Sequence, residues 1–191
     1  HAELSAAFGD EHTLPGRTCT FYRLASELSC ALAFLHRSKV VHGDVKPANV
    51  LICGGGKAKL ADFGQSTIAH MLRSQGLPSA THSQLRGTVQ YMAPEVARAE
   101  ACTAASDVFS AAVLLAQLLS GERPLADLPS SNDIVLLGLI ARGERPRLRL
   151  PESAPAELRR LLERCSAGDP PLAPTRRRCS SSCAQSAASA C

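Results

Sequence analysis

A short polar loop between two apolar segments carries the residues best suited to chemistry. Residues 40–52 read VVHGDVKPANVLI, and the polar side chains of this loop are His42, Asp44, Lys46 and Asn49. An acid, two bases and an amide this close together are typical of a site that transfers protons or binds a ligand. The question is which elements position them and which further groups they meet.

A glycine turn after the loop predicts a partner for Asn49. Two short predicted strands flank three consecutive glycines, which suit the positive φ angles of a hairpin turn. The strands are residues 50–53 and 57–61, and the turn is Gly54–Gly56. If the turn centres between Gly55 and Gly56, antiparallel pairing places Asn49 opposite Asp62, with side chains on the order of 5 Å apart.

Two oxygen donors at the open end of a ribbon predict a Mg²⁺ site. Mg²⁺ takes oxygen ligands and commonly binds one or two carboxylates together with substrate phosphates. The alternative is a polar hairpin end with a solvated aspartate. Asn49 and Asp62 alone favour that alternative.

The elements around the loop are predicted to be mainly helical. From residue 18 to residue 36, apolar side chains recur at three- and four-residue steps, which predicts an amphipathic helix. A strongly apolar segment, capped by Ser106 and ending near Ser120, predicts a helix in the middle of the core. Further helices are predicted from Pro94, from Asn132 to about residue 142, and from Pro155, the last with Leu158, Leu161 and Leu162 facing inward.

Length and composition favour one globular domain and argue against several classes of protein. The 191 residues are 45% apolar, enough for one core. Eight cysteines without zinc-type spacing predict thiols in a reducing compartment. A net charge of +4 and the lack of tryptophan argue against nucleic-acid binding. The apolar runs are too short to span a bilayer and there is no leader, so we expect a cytoplasmic location, although a parent protein attached to a membrane remains open.

Three motifs occur in the order known from protein kinases: HGDVKPAN (42–49), ADFG (61–64) and APE (93–95). The segment SDVFSAAVLLAQLLSGERPL (106–125) is similar to the buried central helix of that family. Residues 1–175 therefore resemble the C-terminal lobe of a protein kinase, a mainly α fold with a small β-ribbon. Residues 176–191 have the biased composition of a disordered tail.

The resemblance implies a role for most polar residues of the loop. Asp44 would accept the proton of the substrate hydroxyl, and Asn49 and Asp62 would hold the Mg²⁺ ions that bridge the ATP phosphates. Lys46 would lie against the transferred phosphoryl group and offset its charge. The implied partners are ATP, Mg²⁺ and a protein substrate.

The resemblance extends to four further positions. Thr88 matches the threonine that contacts the catalytic aspartate and lysine in serine/threonine kinases, which implies serine or threonine substrates. Leu51 resembles the residue that packs under the adenine ring. His42 would pack beneath the phenylalanine of ADFG, and Asp107 would anchor the backbone of the loop. The segment CSAGDP (165–170) resembles the tyrosine-kinase-like branch of these kinases.

The chain departs from the family pattern at several points. Gly43 replaces the usual arginine that binds a phosphate on the activation segment, so four hydroxyl residues are not predicted to be regulatory sites. These are Ser74, Ser79, Thr81 and Ser83. Ala173 replaces the arginine that normally pairs with Glu95, so we expect Glu95 to lack a partner.

No glycine-rich loop or strand lysine precedes the motifs, and the chain begins at His1, as a fragment would. We therefore expect the N-terminal lobe to lie elsewhere in a parent protein and this chain alone to be nearly inactive. Two other readings remain: a pseudokinase or scaffold that only binds partners, and a small-molecule kinase of the choline or aminoglycoside type. The latter usually carries histidine at the position of Lys46 and lacks GTVQYMAPE (87–95).

Overall fold

The computed structural model describes residues 15–63, 89–126, 132–144 and 147–167, which form five helices and a two-stranded ribbon. The elements are α1 (Pro15–Arg37), β1 (Val50–Cys53), β2 (Lys57–Leu60), α2 (Pro94–Ala97), α3 (Ala104–Ser120), α4 (Asp133–Ala141) and α5 (Ala156–Cys165). Short 3₁₀ turns cover Pro47–Asn49, Gly54–Gly56 and Val89–Tyr91. The prediction of a mainly helical fold with one small ribbon is confirmed.

Helix α3 is the centre of the main core, as its apolar sequence predicts. Its buried residues include Phe109 and the continuous run 111–116, and α1 and α5 both pack against it. The predicted cap is wrong, because Thr103 caps α3 and Ser106 lies one turn inside it. The Ser106 hydroxyl accepts from the Thr103 amide at 3.1 Å in a capping box. Gly121 ends the helix with a φ of 72°, a left-handed conformation that favours glycine.

Helix α1 supports the ribbon that follows the polar loop. It begins at Pro15, three residues before the predicted start, in a first turn where proline is tolerated. Its predicted apolar face is buried except at Leu35, which is only partly buried. The buried members are Phe21, Leu24, Leu28 and Leu32. On a neighbouring face, the Glu27 carboxylate accepts the Ala58 amide of β2 and Arg23 donates to the Gly55 carbonyl.

The ribbon has a different register from the predicted one. Val50 pairs with Leu60 and Cys53 pairs with Lys57, so the turn centres on Gly55. Gly55 and Gly56 have φ angles of 72° and 69°, as a glycine turn allows. Extending this register places Asn49 opposite Ala61, and the Ala61 amide donates to the Asn49 carbonyl at 2.8 Å. The predicted pairing of Asn49 with Asp62 is therefore wrong by one residue.

A second apolar cluster joins the turn at Val89–Tyr91 to α4. Its buried members are Val89, Leu125, Leu136 and Ile140. Helix α4, which packs on α2, is capped as predicted, since Asn132 accepts the Ile134 amide at 2.9 Å. In α5, Leu162 is buried and Leu158 packs on the main core, whereas Leu161 is 52% exposed, so the inward placement predicted for Leu161 is wrong.

None of the described helices is both long and apolar enough to cross a membrane. Within the described ranges, four cysteines are free thiols: Cys30, Cys53, Cys102 and Cys165. The four hydroxyl residues that are not predicted to be regulatory sites and the tail 176–191 lie outside the described residues; the four are Ser74, Ser79, Thr81 and Ser83. The domain boundary near residue 175 therefore stays a prediction.

Candidate active site

Asp107, near the start of α3, holds the backbone of the polar loop. Its side chain is 1% exposed. Oδ2 accepts the His42 amide at 2.8 Å, and Oδ1 accepts the Gly43 amide at 2.9 Å. A third donor is the His36 ring, whose Nε2 lies 2.8 Å from Oδ2. These bonds offset the cost of burying a carboxylate, and they fix the loop to the most buried helix of the core.

His42 links the polar loop to the segment after the ribbon. Its side chain is completely buried. Nδ1 accepts the Asp44 amide at 3.2 Å, so Nε2 is the donor to the Ala61 carbonyl at 3.1 Å. The ring also packs against Phe63, with centroids 5.0 Å apart. His42 thus has the structural position predicted for it, beneath the phenylalanine of ADFG.

The two oxygens of Asp44 have different surroundings. Oδ2 accepts from Lys46 Nζ at 2.7 Å and from Asn49 Nδ2 at 3.0 Å. Asn49 also donates to the Asp44 carbonyl at 2.7 Å, which closes the loop on itself. Oδ1 is buried and has no hydrogen-bond partner among the described residues. A buried carboxylate oxygen without a donor is costly, and it is the atom to which a substrate hydroxyl could donate.

The donors at the open end of the ribbon suit Mg²⁺. Asn49 uses Nδ2 for both bonds to Asp44, so its side-chain oxygen, Oδ1, is not needed for these bonds. Asp62 is exposed and follows Ala61 in a left-handed conformation with a φ of 61°. Among the described residues there is no cluster of three or more His, Cys, Asp or Glu side chains suited to a metal. An ion here would need Asn49, Asp62 and the oxygens of phosphates or water, which is the usual Mg²⁺ environment.

Of the other two predicted site residues, the structure describes Leu51 but not Thr88. Leu51 lies on β1, and its side chain is 45% exposed. Thr88 lies outside the described residues, which resume at Val89. The structure therefore brings Asp44, Lys46 and Asn49 into direct contact and places Asp62 just beyond the ribbon.

Comparison with known families shows which family has this arrangement of motifs. A model of the protein kinase domain matches residues 3–185. The chain belongs to the protein kinase family. The match covers nearly the whole chain, including the polar loop, the ribbon and all five helices.

Several curated proteins are similar to this kinase chain over about half its length. Serine/threonine-protein kinase PknB of Mycolicibacterium smegmatis is 41% identical over 100 residues, 52% of this chain and 16% of that protein. U-box domain-containing protein 33 of Arabidopsis thaliana is 39% identical over 106 residues, 54% of this chain and 12% of that protein. A protein kinase and PP2C-like domain-containing protein of Oryza sativa is 40% identical over 115 residues, 55% of this chain and 18% of that protein. The chain spans less than a fifth of the length of each of these relatives.

In this kinase chain, Glu95 has a partner that the sequence did not predict. The Ser106 hydroxyl donates to Glu95 Oε1 at 2.7 Å, and Glu95 is only partly buried. The expectation that Glu95 lacks a partner is therefore wrong. One turn further along α3, the Ser110 hydroxyl donates to the Tyr91 carbonyl at 2.7 Å. Ser106 and Ser110 thus fasten the segment 89–95 to the same helix that holds the polar loop.

We expect Ser106→Ala to lower the free energy of unfolding by about 1–2 kcal/mol. The change removes the donor to Glu95 and the acceptor of the Thr103 amide at a side chain that is 2% exposed. Urea denaturation of the chain measures the loss. Ser29→Ala is the matched control, because the exposed Ser29 hydroxyl bonds only within α1, to the Ala25 carbonyl. Equal stabilities of the two variants would contradict the role given to Ser106.

A small cavity lies between the polar loop and the segment 89–96. Asp44, Tyr91, Met92 and Cys102 are among the residues that line it. Cys102 is exposed, but partial desolvation of its sulfur, followed by the negative charge of Asp107, raises the pKa of the Cys102 thiol to about 11. Cys102 is therefore protonated at neutral pH and is a weak nucleophile despite its place beside the polar loop.

Sequence reasoning missed His36, Ser106 and Ser110 as parts of the site. A signal for His36 was present: it follows Leu32 by four residues and continues the buried stripe of α1 as a polar side chain. The sequence pattern marks Ser106 only as a helix cap. Nothing in the local sequence marks Ser110, whose partner is 19 positions away in the chain.

Proposed function

We propose that this chain is the C-terminal lobe of a protein serine/threonine kinase, which transfers the γ-phosphoryl group of ATP to Ser or Thr hydroxyls of proteins. One observation carries the proposal. Asp44 Oδ2 is held by Lys46 and Asn49, while Oδ1 is buried without a partner among the described residues. A carboxylate held in this way is positioned to accept a proton from an alcohol.

The chain's own residues have separate tasks in the proposed reaction. Asp44 Oδ1 accepts the hydrogen bond of the substrate hydroxyl and then its proton. Lys46, which pairs with Asp44 Oδ2, supplies a positive charge that offsets the negative charge of the transferred phosphoryl group. Asn49 and Asp62 are the residues that would hold Mg²⁺, which neutralises charge on the ATP phosphates when bound. The exposed Leu51 side chain is available to pack under the adenine ring.

Specificity for serine and threonine is supported by two features. The first is the motif: Lys46, two residues after Asp44, is the residue type found in serine/threonine kinases, and the family resemblance implies that Thr88 contacts Asp44 and Lys46. The second is the names of the relatives. The PknB relatives carry the name serine/threonine-protein kinase. The membership of the tyrosine-kinase-like branch remains part of this proposal.

The complete reaction is proposed for a parent protein and not for this chain alone. ATP must be covered from the side of Leu51 and Asp62, and we propose that an N-terminal lobe does this in the parent. Free thiols at Cys30 and Cys102 support a reducing, cytoplasmic location for this lobe. The isolated chain is expected to bind partners without appreciable phosphoryl transfer.

The test is transfer of radiolabelled phosphate from ATP by the parent protein to peptides that differ only in the acceptor residue. We expect Mg²⁺-dependent labelling of the Ser and Thr peptides and at least tenfold less of the Tyr peptide, and loss of labelling when EDTA removes the metal. Labelling of choline or an aminoglycoside in place of the peptides would identify a small-molecule kinase. No labelling of any acceptor would favour the scaffold reading.

A further inference from the structure

One face of α3 carries polar side chains, although this helix forms the centre of the main core. Asp107, Ser110 and Gln117 follow one another at steps of three and seven positions, close to one and two helical turns, so they share that face. Polar groups on a helix in the core are costly unless each has a hydrogen-bond partner. Each of these three bonds either the polar loop or the turn at Val89–Tyr91.

Tyr91 is bound to α3 through both its main chain and its side chain. Its carbonyl accepts the Ser110 hydroxyl at 2.7 Å, and its own hydroxyl donates to Gln117 Oε1. The side chain is 6% exposed, and burial raises the pKa of Tyr91 to about 12 against the opposing effects of the bond to Gln117 and the charge of Arg123. The hydroxyl therefore keeps its proton at neutral pH and remains a donor.

The bond to Gln117 orients a turn that is otherwise held mainly by apolar packing. Val89 packs in the second apolar cluster, and Tyr91 packs in the main core. Apolar contacts are non-directional, whereas a hydrogen bond constrains both the distance and the angle between two groups. The Tyr91 hydroxyl thus fixes the turn at one position along α3.

The same helix also fixes the loop that carries Asp44. Asp107 accepts the His42 and Gly43 amides, directly before Asp44. Asp44 and Tyr91 both line the small cavity between the polar loop and the segment 89–96. The two anchors on α3, Asp107 and Gln117, are ten positions apart, about 15 Å along the helix axis. One rigid element therefore sets the separation of the two walls of this cavity.

We infer that Tyr91 is a positioning residue for the proposed phosphoryl transfer, because its bond to Gln117 holds the turn 89–91 at the separation from Asp44 that a protein substrate requires. The inference rests on the proposed kinase function and adds a residue to that site. Tyr91 acts through the turn, since its own hydroxyl is buried and bound to Gln117. Misplacing a reacting group by about 1 Å can slow a reaction roughly 100-fold, so the loss of such a bond has a measurable effect.

The first test measures steady-state transfer from Mg²⁺-ATP to a serine peptide by the parent protein and its Tyr91→Phe variant. Phenylalanine keeps the buried ring and removes only the hydroxyl. We expect kcat/KM for the peptide to fall roughly tenfold with the Kd of ATP unchanged. Tyr22→Phe is the matched control, because Tyr22 is 42% exposed on α1, and it should leave kcat/KM unchanged.

Two changes at Gln117 test whether the hydrogen bond itself is responsible. Gln117→Glu keeps an oxygen that accepts the Tyr91 hydroxyl and should keep kcat/KM within about twofold. Gln117→Met fills a similar volume with only a weak acceptor and should match Tyr91→Phe, and the double variant should fall no further than either single variant. Loss of folded protein would instead reduce the number of ATP-binding sites, which we expect to stay the same in all variants.

A second test needs no transfer activity and uses the 191-residue chain. The Met92 amide bonds the Val89 carbonyl across the turn, and we expect its hydrogen exchange to be roughly tenfold faster in Tyr91→Phe. The His42 and Gly43 amides, which Asp107 holds, should exchange at an unchanged rate.

Unchanged exchange at Met92, or kcat/KM within twofold of the unmodified protein in Tyr91→Phe, would overturn the inference and leave the kinase proposal standing. Equal losses in Gln117→Glu and Gln117→Met would also overturn it. A parent protein that transfers no phosphate to any acceptor would refute the kinase proposal, and the positioning role with it.

Discussion

Asp107→Asn is expected to lower the free energy of unfolding by about 3 kcal/mol. The carboxylate is 1% exposed and receives the His42 amide, the Gly43 amide and the His36 ring. An asparagine has one acceptor oxygen, so its NH₂ group must face at least one of these donors. The catalytic loop would then lose its anchor to α3, and a buried donor would lose its acceptor. Urea denaturation followed by circular dichroism measures the loss.

Asp133→Asn is the matched control for this prediction. It makes the same chemical change at a partly exposed position in the first turn of α4. There the carboxylate interacts with the positive end of a helix, and its removal should cost about 0.5 kcal/mol. Similar losses of unfolding free energy in the two variants would contradict the anchoring role of Asp107 and would mean that other contacts hold the loop.

His36 provides an independent check on the same network. His36→Gln keeps a donor of similar length and should lose less stability than His36→Ala, because the bond to Asp107 Oδ2 is what His36 contributes. The double variant His36→Ala/Asp107→Asn should lose less free energy of unfolding than the sum of the losses in the two single variants, since the two side chains share one interaction.

The helices and their buried faces could be predicted from the sequence, because their signals are local. Apolar residues at three- and four-residue steps define α1, and an almost wholly apolar run defines α3. The cap of α3 was misplaced by one turn. Thr103 and Ser106 are both good capping residues, and in the capping box each one bonds the other. A sequence pattern alone does not tell which of two such residues is the cap.

The ribbon shows why register is harder to predict than the presence of strands. Three consecutive glycines allow the turn to centre on Gly55 or between Gly55 and Gly56, and both suit positive φ angles. A shift of one residue changes which side chains are opposed. Asn49 consequently pairs with Ala61, and Asp62 comes after the last rung of the ribbon.

The contacts that hold the site together were the least predictable part. His36 and Asp107 are 71 positions apart, and Ser106 and Glu95 are 11 apart on different elements. Such pairs form only when tertiary packing brings helices together, and a single sequence carries no direct signal for them. The motifs indicated Asp44, Lys46 and Asn49, whereas the anchors behind them became visible only in the structure.

Asp44→Asn should nearly abolish phosphoryl transfer by the parent protein. Asparagine keeps an oxygen for Lys46 and fills the same volume, so the loop should remain folded. It then places its NH₂ group where Oδ1 now lies buried and unpartnered among the described residues. An amide NH₂ group does not accept a proton at neutral pH, so the transfer step should slow roughly 10³-fold, within the usual range for loss of a general base.

The most direct measurement is single-turnover transfer from Mg²⁺-ATP to a serine peptide, comparing the parent protein with its Asp44→Asn and Asp133→Asn variants. We predict a roughly 10³-fold slower step for Asp44→Asn, with the Kd of ATP unchanged, and an unchanged rate for Asp133→Asn. A rate for Asp44→Asn within tenfold of the unmodified protein would contradict the account, because the buried oxygen of Asp44 would then have no part in the chemistry.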